Sequence, residues 1–305
     1  MKKTSKTVVF FGSGPVAAAS LRKLHKDFDI EAVITKPRAP HHKGPVPVIE
    51  LAEELGLKLI TVESKRALDE AISINSLKSD VAILIDFGII VSQTVIDYFK
   101  FGIINSHFSI LPEWRGADPI TFAILSGQKS TGVSLMLLVE KMDEGPILAQ
   151  EEFIIPENYD TPQLTKALID LSHQLLIKYV PQYLNNDLIP YSQDTINKKI
   201  SYSRKIVSSD SKLDFHKSAN ELEREIRAFL GWPGSKTEIG SKEVIVTKAH
   251  VETETLPIGT MKIVNNNQLF VGTRDKSLSI DEVRPAGKNT MSVKAFLAGN
   301  AHLIK

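Results

Sequence analysis

The chain has 305 residues, of which 42% are hydrophobic and 24% are charged, and its formal net charge is +1. This composition is typical of a globular protein long enough for two domains. The sequence contains no cysteine, which excludes disulfides, thiolate nucleophiles and cysteine-based zinc sites. No apolar run approaches the roughly 20 residues of a membrane-spanning helix, and the first residues, MKKTSKTVVFFGSG, favour a strand over a secretory signal. We therefore expect a cytoplasmic protein without a membrane partner; the alternative is residence in an organelle after removal of a presequence.

The first 100 residues alternate between short apolar runs and segments with helical periodicity. The apolar runs predict strands at 7–11, 31–35, 57–61 and 81–85. The periodic segments predict helices at 15–24, 48–55, 67–75 and 92–98. Such alternation predicts a mostly parallel sheet with helical crossovers, and therefore an α/β fold.

A glycine-rich turn follows the first predicted strand. Gly12, Gly14 and Ala17 match the G-x-G-x-x-A pattern of dinucleotide-binding proteins. The second predicted strand, however, ends in Thr35-Lys36-Pro37, where such proteins have an acidic residue that binds the ribose. The pattern therefore favours a tight strand-to-helix turn over a nicotinamide site.

Two loops come after predicted strands. The loop at 36–47, KPRAPHHKGPVP, is basic and rich in proline; a solvated loop is the simplest interpretation, and contact with an anion or nucleic acid is the alternative. The adjacent His41 and His42 are hard to direct at one metal ion. The loop at 86–90 begins with Asp-Phe-Gly, but the other kinase motifs are missing from the sequence. Because loops after parallel strands line the ligand crevice, we expect residues 86–90 to border a pocket.

A polar group lies in the centre of the chain. Asn105 and His107 end an apolar run and are two residues apart, so a strand would place both side chains on one face. Asp143 follows a second apolar run at 133–139 and would join them if the two strands are neighbours in the sheet.

An amide, an imidazole and a carboxylate together suit acyl-type transfer. The amide of Asn105 can donate to an oxyanion, and His107 can accept a proton from an attacking amine. Asp143 could fix the tautomer of His107 or relay the proton. No serine, cysteine or lysine stands out as a nucleophile, so direct transfer is favoured over a covalent intermediate. The alternative is that Asn105 and His107 only cap a strand end; a zinc site lacks a ligand.

The remaining sequence predicts a helix and then a second domain. Thr161-Pro162 begins a leucine-striped helix with the threonine as its cap. The polar segment at 185–200 is interpreted as a linker. Beyond it, a capping box at Ser218-x-x-Glu221 and a series of short alternating runs predict one helix and a small barrel or sandwich of OB type. Residues 201–305 carry a charge balance of +4, which is compatible with a polyanionic partner, although a solvated surface that carries lysines is the commoner explanation.

Long motifs add a family resemblance. Residues 105–120 read N-x-H-x-S-x-L-P-x-x-R-G-A-x-P-I and are followed by Thr131-Gly132-Val133 and by M-D-x-G at 142–145. The second part contains I-R-A-F-x-x-W-P at 226–233 and R-P-A-G-K-x-x-M at 284–291. These motifs resemble the folate-dependent formyltransferases from end to end, and among them the members that act on methionyl initiator tRNA.

The resemblance implies 10-formyltetrahydrofolate as the formyl donor and the α-amino group of methionyl initiator tRNA as the acceptor, without a metal. It implies that Asn105, His107 and Asp143 are catalytic. The implied folate pocket is bordered by Phe87, Gly88, Ile89, Ile90, Ser109, Leu111 and Pro112. The implied tRNA contacts are Arg38, Lys43 and Arg115. The implied domains of the monomer are a Rossmann-like catalytic domain at 1–184, a linker at 185–200 and an OB-like tRNA-binding domain at 201–305.

The sequence departs from the family in two places. The loop at 36–47 is shorter and less basic than the family's usual insertion, which contacts the acceptor arm of the tRNA. Asp86 stands where the family usually has a small residue, so a carboxylate would be added to the pterin pocket.

Other functions are compatible with parts of the pattern. The short loop keeps open a formyltransferase that acts on an amino sugar nucleotide, although the W-P motif of the second domain argues against it. A noncatalytic RNA-binding protein would use the OB-like domain alone. Formylfolate hydrolysis would use water at the same site, but enzymes of that kind usually carry a further domain.

Overall fold

The computed structural model describes residues 7–39 and 44–304, and contacts divide the chain into two compact units. The first unit contains the described residues up to Gly116 together with Ser130–Ile154 and Thr165–Tyr202. The second contains Ala117–Lys129, Ile155–Leu164 and the residues from Ser203 onward. The domain limits at 184 and 201 stay a prediction, because this division follows contacts and not chain order.

The first unit is built on a seven-stranded sheet, whose strands are β1 Thr7–Phe11, β2 Asp29–Thr35, β3 Leu59–Thr61, β4 Ala82–Leu84, β5 Ile103–His107, β7 Ser130–Leu137 and β8 Ile147–Ile154; the two-residue strand β6 Arg115–Gly116 lies outside this sheet. The strand order is β3-β2-β1-β4-β5-β7-β8. Strands β3, β2, β1, β4 and β5 pair in parallel, and β7 pairs antiparallel with both β5 and β8. The predicted mostly parallel α/β sheet is confirmed.

Before the carboxyl-terminal third, the described residues form six α-helices: α1 Pro15–Asp27, α2 Pro47–Glu54, α3 Lys65–Asn75, α4 Gln93–Tyr98, α5 Pro119–Ser126 and α6 Thr161–Leu184. The predicted helices agree with α1 to α4 within a few residues. No helix in the described ranges 7–39 and 44–304 is both long and apolar enough to cross a membrane.

The core of the first unit explains why its strands read as continuous apolar runs. Val9 and Phe11 of β1, Ile34 of β2 and Ile103 of β5 are fully buried. The rings of Phe11 and Phe87 meet edge to face, with centroids 5.3 Å apart. A parallel sheet that is covered on both faces requires such runs.

Close packing explains the glycine pattern after β1. A Cβ at Gly12 would lie 2.5 Å from the Cβ of Ala17 and 2.8 Å from the carbonyl oxygen of Ile85. A Cβ at Gly14 would lie 2.0 Å from a carboxylate oxygen of Asp86. The packing of the tight turn therefore accounts for Gly12, whereas at Gly14 the close contact is with the end of the Asp86 side chain.

The elements in the last third of the chain are β9 Tyr202–Ser203, α7 Ala219–Ala228, β10 Ser235–Ile239, β11 Lys242–Glu252, β12 Met261–Val264, β13 Gln268–Gly272, β14 Ser277–Pro285, β15 Met291–Ser292 and α8 Val293–Asn300. The second unit contains an antiparallel sheet with the order β10-β11-β14-β13-β12, in which β15 pairs with β14. Leu222 and Ile226 of α7 and Phe296 of α8 pack on Val246 and Leu269 of the sheet. The predicted second β domain is therefore present.

The start of α6 corrects one expectation. Asp160, and not Thr161, caps the helix, because its carboxylate accepts a hydrogen bond of 2.8 Å from the amide of Gln163 and its own amide donates to the Gln163 side chain at 3.1 Å. The hydroxyl of Thr161 donates instead to the carbonyl of Ala228. A charged carboxylate is a strong acceptor for the free amides of a helix start.

The capping box of α7 is confirmed and supports a stability prediction. The Ser218 hydroxyl accepts from the Glu221 amide at 3.3 Å, and the Glu221 carboxylate accepts from the Ser218 amide at 2.8 Å. Replacing Ser218 with alanine should lower the free energy of unfolding by about 1 kcal/mol. Urea unfolding followed by circular dichroism measures the change, with Ser209→Ala at an exposed position as the control. Equal stability of the two variants would contradict the capping role.

Candidate active site

Strand β5 brings Asn105 and His107 to the carboxyl edge of the parallel strands. Asn105 lies opposite Met136 and His107 lies opposite Ser134 of the antiparallel strand β7. Strand β7 runs antiparallel to β5 and ends with Leu137 opposite Ile104, so the segment that follows β7 must fold back to bring Asp143 within reach of Asn105 and His107. The condition stated from the sequence, that the two apolar runs form neighbouring strands, is met.

The three side chains converge. Nδ2 of Asn105 lies 3.4 Å from Oδ1 of Asp143, and Nδ1 of His107 lies 3.8 Å from Oδ2 of Asp143. Their exposed fractions are 7% for Asn105, 6% for His107 and 9% for Asp143. The structure therefore holds an amide, an imidazole and a carboxylate together, largely shielded from water, where electrostatic interactions are strengthened.

The tautomer of His107 follows from its second nitrogen. Nε2 lies 2.9 Å from the carbonyl oxygen of Trp114, and a carbonyl oxygen can only accept, so Nε2 carries the proton. In the neutral ring Nδ1 is then unprotonated and faces the Asp143 carboxylate. The His107 side chain is thereby oriented to take up a proton at Nδ1.

Asp143 is fixed from a second side. The amide of Gly116 donates to its Oδ2 at 2.7 Å, and the backbone of Asp143 has a φ of 53°. A left-handed conformation at a residue other than glycine is strained by roughly 1 kcal/mol or more and persists only where surrounding contacts enforce it.

Gln193 and Arg115 lie beneath this segment. The Gln193 side chain donates 2.8 Å hydrogen bonds to the carbonyl oxygens of Asp143 and Gly145, and its oxygen accepts from Nη2 of Arg115 at 2.8 Å. Sequence reasoning missed Gln193, because the surrounding segment at 185–200 is polar and aperiodic and was interpreted as a linker. No local pattern marks its burial.

The burial of Arg115 corrects its predicted role as a tRNA contact. Only 5% of it is exposed, and its guanidinium contacts Gln193 and the carboxylate of Glu144, the latter at 3.4 Å. A buried and paired guanidinium is not offered to an RNA phosphate. The predicted tRNA contact at Arg115 is therefore replaced by a structural role beside the site.

The residues predicted to border a folate pocket lie in two loops that follow the adjacent parallel strands β4 and β5. The first loop contains Phe87, Gly88, Ile89 and Ile90, and the second contains Ser109, Leu111 and Pro112. Ile90 is 70% exposed, whereas Phe87, Ser109 and Leu111 are buried. The amide of Leu111 donates to the Ser134 hydroxyl, and its carbonyl accepts from the Gln150 side chain, so Leu111 supports the loop from inside.

The basic loop after β2 is described in part. Arg38 is exposed, donates to the carbonyl of Gly44 at 2.9 Å and lies 3.5 Å from the carboxylate of Glu50. His41, His42 and Lys43, and with them the predicted tRNA contact at Lys43, lie outside the described residues. Asp86, the second departure from the family pattern, is exposed at the end of β4, with a φ of 49°.

Sequence comparison decides the family. The family model described as "Formyl transferase" matches residues 5–180, and "Formyl transferase, C-terminal domain" matches residues 205–301. The chain belongs to the formyl transferase family. The recognition made from the motifs is confirmed, and the protein is a transferase.

Two curated relatives of this formyl transferase are methionyl-tRNA formyltransferases. A methionyl-tRNA formyltransferase of Bdellovibrio bacteriovorus is 33% identical, with 96% of each chain covered. The enzyme of the same name from Methylococcus capsulatus is 34% identical, with 97% of each chain covered. Both chains match along nearly their whole lengths.

Solved structures share the fold. An N-formyltransferase from Helicobacter canadensis, in complex with folinic acid and dTDP-3-aminofucose, has a TM-score of 0.67 at 23% identity over 91% of this chain and 98% of its own. HypX from Aquifex aeolicus, in complex with tetrahydrofolic acid, has a TM-score of 0.65 at 15% identity over 97% of this chain and 47% of its own. At these identities the similarity establishes the fold alone.

Proposed function

We propose that this formyl transferase moves the formyl group of 10-formyltetrahydrofolate to the α-amino group of methionyl initiator tRNA and so supports translation initiation. The similarity to methionyl-tRNA formyltransferases, at 33–34% identity over 96–97% of the chain, is the observation that carries the proposal. We further propose that the protein acts as a monomer in the cytoplasm and that the reaction needs no metal.

The proposed reaction begins when the amine of the methionyl group attacks the formyl carbon. The carbonyl oxygen then gains negative charge, and the Asn105 amide is placed to donate to it. The attacking nitrogen must lose a proton, and Nδ1 of His107 accepts it, because Nε2 already donates to the Trp114 carbonyl.

Asp143 supports the charged form of His107. Once Nδ1 is protonated, an imidazolium faces the carboxylate, which stabilises it by opposite charge. The proton then passes to the folate nitrogen as its bond to the formyl carbon breaks, so the products are the formylated amine and tetrahydrofolate. No covalent enzyme intermediate is required, and transfer is direct.

We assign the folate donor to the crevice between the loops that follow β4 and β5. The proposed contacts are Phe87, Gly88, Ile89, Ile90, Ser109, Leu111 and Pro112. In open α/β sheets ligands bind outside the carboxyl ends of the strands, and both loops leave the sheet at that edge, next to Asn105 and His107. The exposed Ile90 offers an apolar surface for a flat ring system.

The tRNA is assigned to the basic loop, through Arg38 and Lys43, and to the domain at 201–305. A charge balance of +4 in that domain suits a polyanion. The affinity for tRNA should therefore fall by about 10-fold or more between about 50 and 200 mM salt, because bound phosphates release counterions. Filter binding with labelled initiator tRNA measures the dependence. Affinity that is independent of salt would show that phosphate contacts are few.

A second acceptor is supported by one observation. The Helicobacter canadensis enzyme, whose structure contains dTDP-3-aminofucose, and a sugar 3N-formyl transferase with a TM-score of 0.68 cover 91% and 94% of this chain. Their identities of 23% and 22% are well below those of the methionyl-tRNA formyltransferases, so the tRNA acceptor is favoured.

One assay separates the acceptors. The intact protein is incubated with 10-formyltetrahydrofolate labelled in the formyl group and with either methionyl initiator tRNA or dTDP-3-aminofucose. We expect label in the aminoacyl-tRNA. Label only in the sugar nucleotide would overturn the proposed acceptor, and tRNA binding without any transfer would favour a noncatalytic RNA-binding protein.

A further inference from the structure

Gln193 is a buried amide whose hydrogen-bonding groups are all engaged. It is 3% exposed. Its two N–H groups donate to the carbonyl oxygens of Asp143 and Gly145, both at 2.8 Å. Its oxygen accepts from Nε of Arg115 at 3.2 Å and from Nη2 at 2.8 Å. The side chain therefore connects the backbone at 143–145 to the strand that contains Arg115.

Neither glutamate nor methionine can make this set of contacts. Glutamate has the same shape and can accept from Arg115, but it has no N–H to donate to two carbonyl oxygens. Methionine fills a similar volume and offers neither group. A buried carbonyl that loses its donor is destabilised, because it also lacks water.

The segment held by Gln193 needs external support. Asp143 has a φ of 53°, and a Cβ at Gly145 would lie 1.7 Å from the carbonyl oxygen of Leu137. The backbone is thus strained at one residue and closely packed two residues later. Since Gln193 binds the carbonyls of both, it restrains the segment on either side of Glu144.

The same contacts fix the direction of the Asp143 carboxylate. Arg115, which binds the oxygen of Gln193, is followed by Gly116, whose amide donates to Oδ2 of Asp143. The backbone of Asp143 and the donor to its carboxylate are therefore connected through one buried amide.

We infer that Gln193 is a positioning residue that holds Asp143 against His107 and Asn105. It touches neither substrate in the proposed reaction and acts through Asp143. The inference rests on the proposed function, because its effect is measured as the rate of formyl transfer.

The test is Gln193→Glu, which keeps the shape and the Arg115 contact and removes both donors. We expect kcat to fall by about 100-fold, because a small displacement of a catalytic group has an effect of that size, while KM for the folate donor and for methionyl-tRNA changes less than about threefold. Gln174→Glu, the same exchange at an exposed position of α6, is the control. An unchanged kcat in Gln193→Glu overturns the inference.

A double-mutant cycle separates positioning from general damage. If Gln193 acts through Asp143, Gln193→Glu should lower kcat less than about threefold when Asp143 is already asparagine. The full 100-fold loss in that background would show a structural effect independent of Asp143. Gln193→Met, with thermal unfolding of every variant, covers the case in which the glutamate variant does not fold; wild-type kcat in a folded methionine variant also overturns the inference.

Assays of the wild-type protein distinguish failure of the proposed function from failure of the inference about Gln193. If wild-type protein formylates the amino sugar nucleotide and not methionyl-tRNA, the proposed acceptor is wrong, and the same cycle measured with the sugar tests Gln193. If wild-type protein formylates methionyl-tRNA and the two glutamate variants are equally active, the inference alone is wrong.

Discussion

Replacing Asp143 with asparagine is expected to lower kcat by about 10³-fold while the affinity for the folate donor changes less than about threefold. The loss lies within the range for removal of a group that takes part in proton transfer. Asparagine has nearly the same shape, so the packing of the 9% exposed side chain is preserved. The effect should therefore appear in the chemical step.

The geometry explains why the amide cannot replace the carboxylate. Oδ2 of Asp143 accepts from the Gly116 amide, so the asparagine oxygen must occupy that position. In the wild-type structure Nδ2 of Asn105 lies 3.4 Å from Oδ1 of Asp143. In the variant the NH₂ group takes the place of Oδ1 and faces Nδ2 of Asn105, so that two donors oppose each other. The imidazolium of His107 also loses its counter-charge.

For Asp143→Asn, the rate of the chemical step is measured in single turnovers, and the affinity for folate is measured by equilibrium binding of folinic acid. The control is Asp187→Asn, the same exchange at an exposed position. A variant that binds folinic acid normally and retains wild-type kcat would remove Asp143 from the mechanism.

Replacing His107 with alanine should lower kcat by roughly 10²- to 10⁴-fold, the usual contribution of a general base, with a much smaller effect on folate binding. Nδ1 is the proton acceptor in the proposed reaction, and no other imidazole in the described residues joins the contacts around Asp143. Free imidazole added to the assay should restore part of the rate.

The measurement for His107→Ala compares kcat with the dissociation constant of folinic acid, and His216→Ala at an exposed position is the control. Thermal unfolding is measured too, since the variant leaves the Trp114 carbonyl without its imidazole partner. Comparable losses in turnover and in folate affinity would show that His107 is chiefly a binding or structural residue.

The positions of Asn105 and His107 could be predicted because they depend on local geometry. Residues two apart on a strand share a face, and the apolar run before them identifies the strand. The strands of the parallel sheet were predictable for the same reason, since each buried strand is marked by its own apolar run. The shared face of Asn105 and His107 needs only a few neighbouring residues, whereas the parallel sheet follows from the alternation of strands and helices over the first 100 residues.

Asp143 and Gln193 depend on contacts between distant parts of the chain. The approach of Asp143 requires that β7 pairs with β5 and that the Gly116 amide binds the carboxylate. The burial of Gln193 depends on Arg115, 78 residues earlier, and a polar aperiodic segment gives no sign of it. The family resemblance implied a tRNA contact at Arg115, and the sequence could not correct it, because a sequence shows the charge of a residue and not its burial.

The cap of α6 shows a local signal that was misread. Asp160 and Gln163 have the spacing of a capping box and make its reciprocal hydrogen bonds. Thr161-Pro162 matches a second helix start one residue later, with threonine as the cap and proline in the first turn. Local rules narrow a helix boundary to a few residues, and the choice between two competent caps depends on what the rest of the protein places near them: here the Ala228 carbonyl, which accepts from Thr161.

The central claim is that Asn105, His107 and Asp143 surround the formyl group during transfer. A crystal structure of the protein with folinic acid, the ligand of the Helicobacter canadensis enzyme, tests it most directly. We predict that the folate ring system lies between the loops at 86–90 and 109–112, with its formyl group directed at the Asn105 amide and Nδ1 of His107. A folate bound elsewhere, with its formyl group out of reach of all three side chains, would contradict the account.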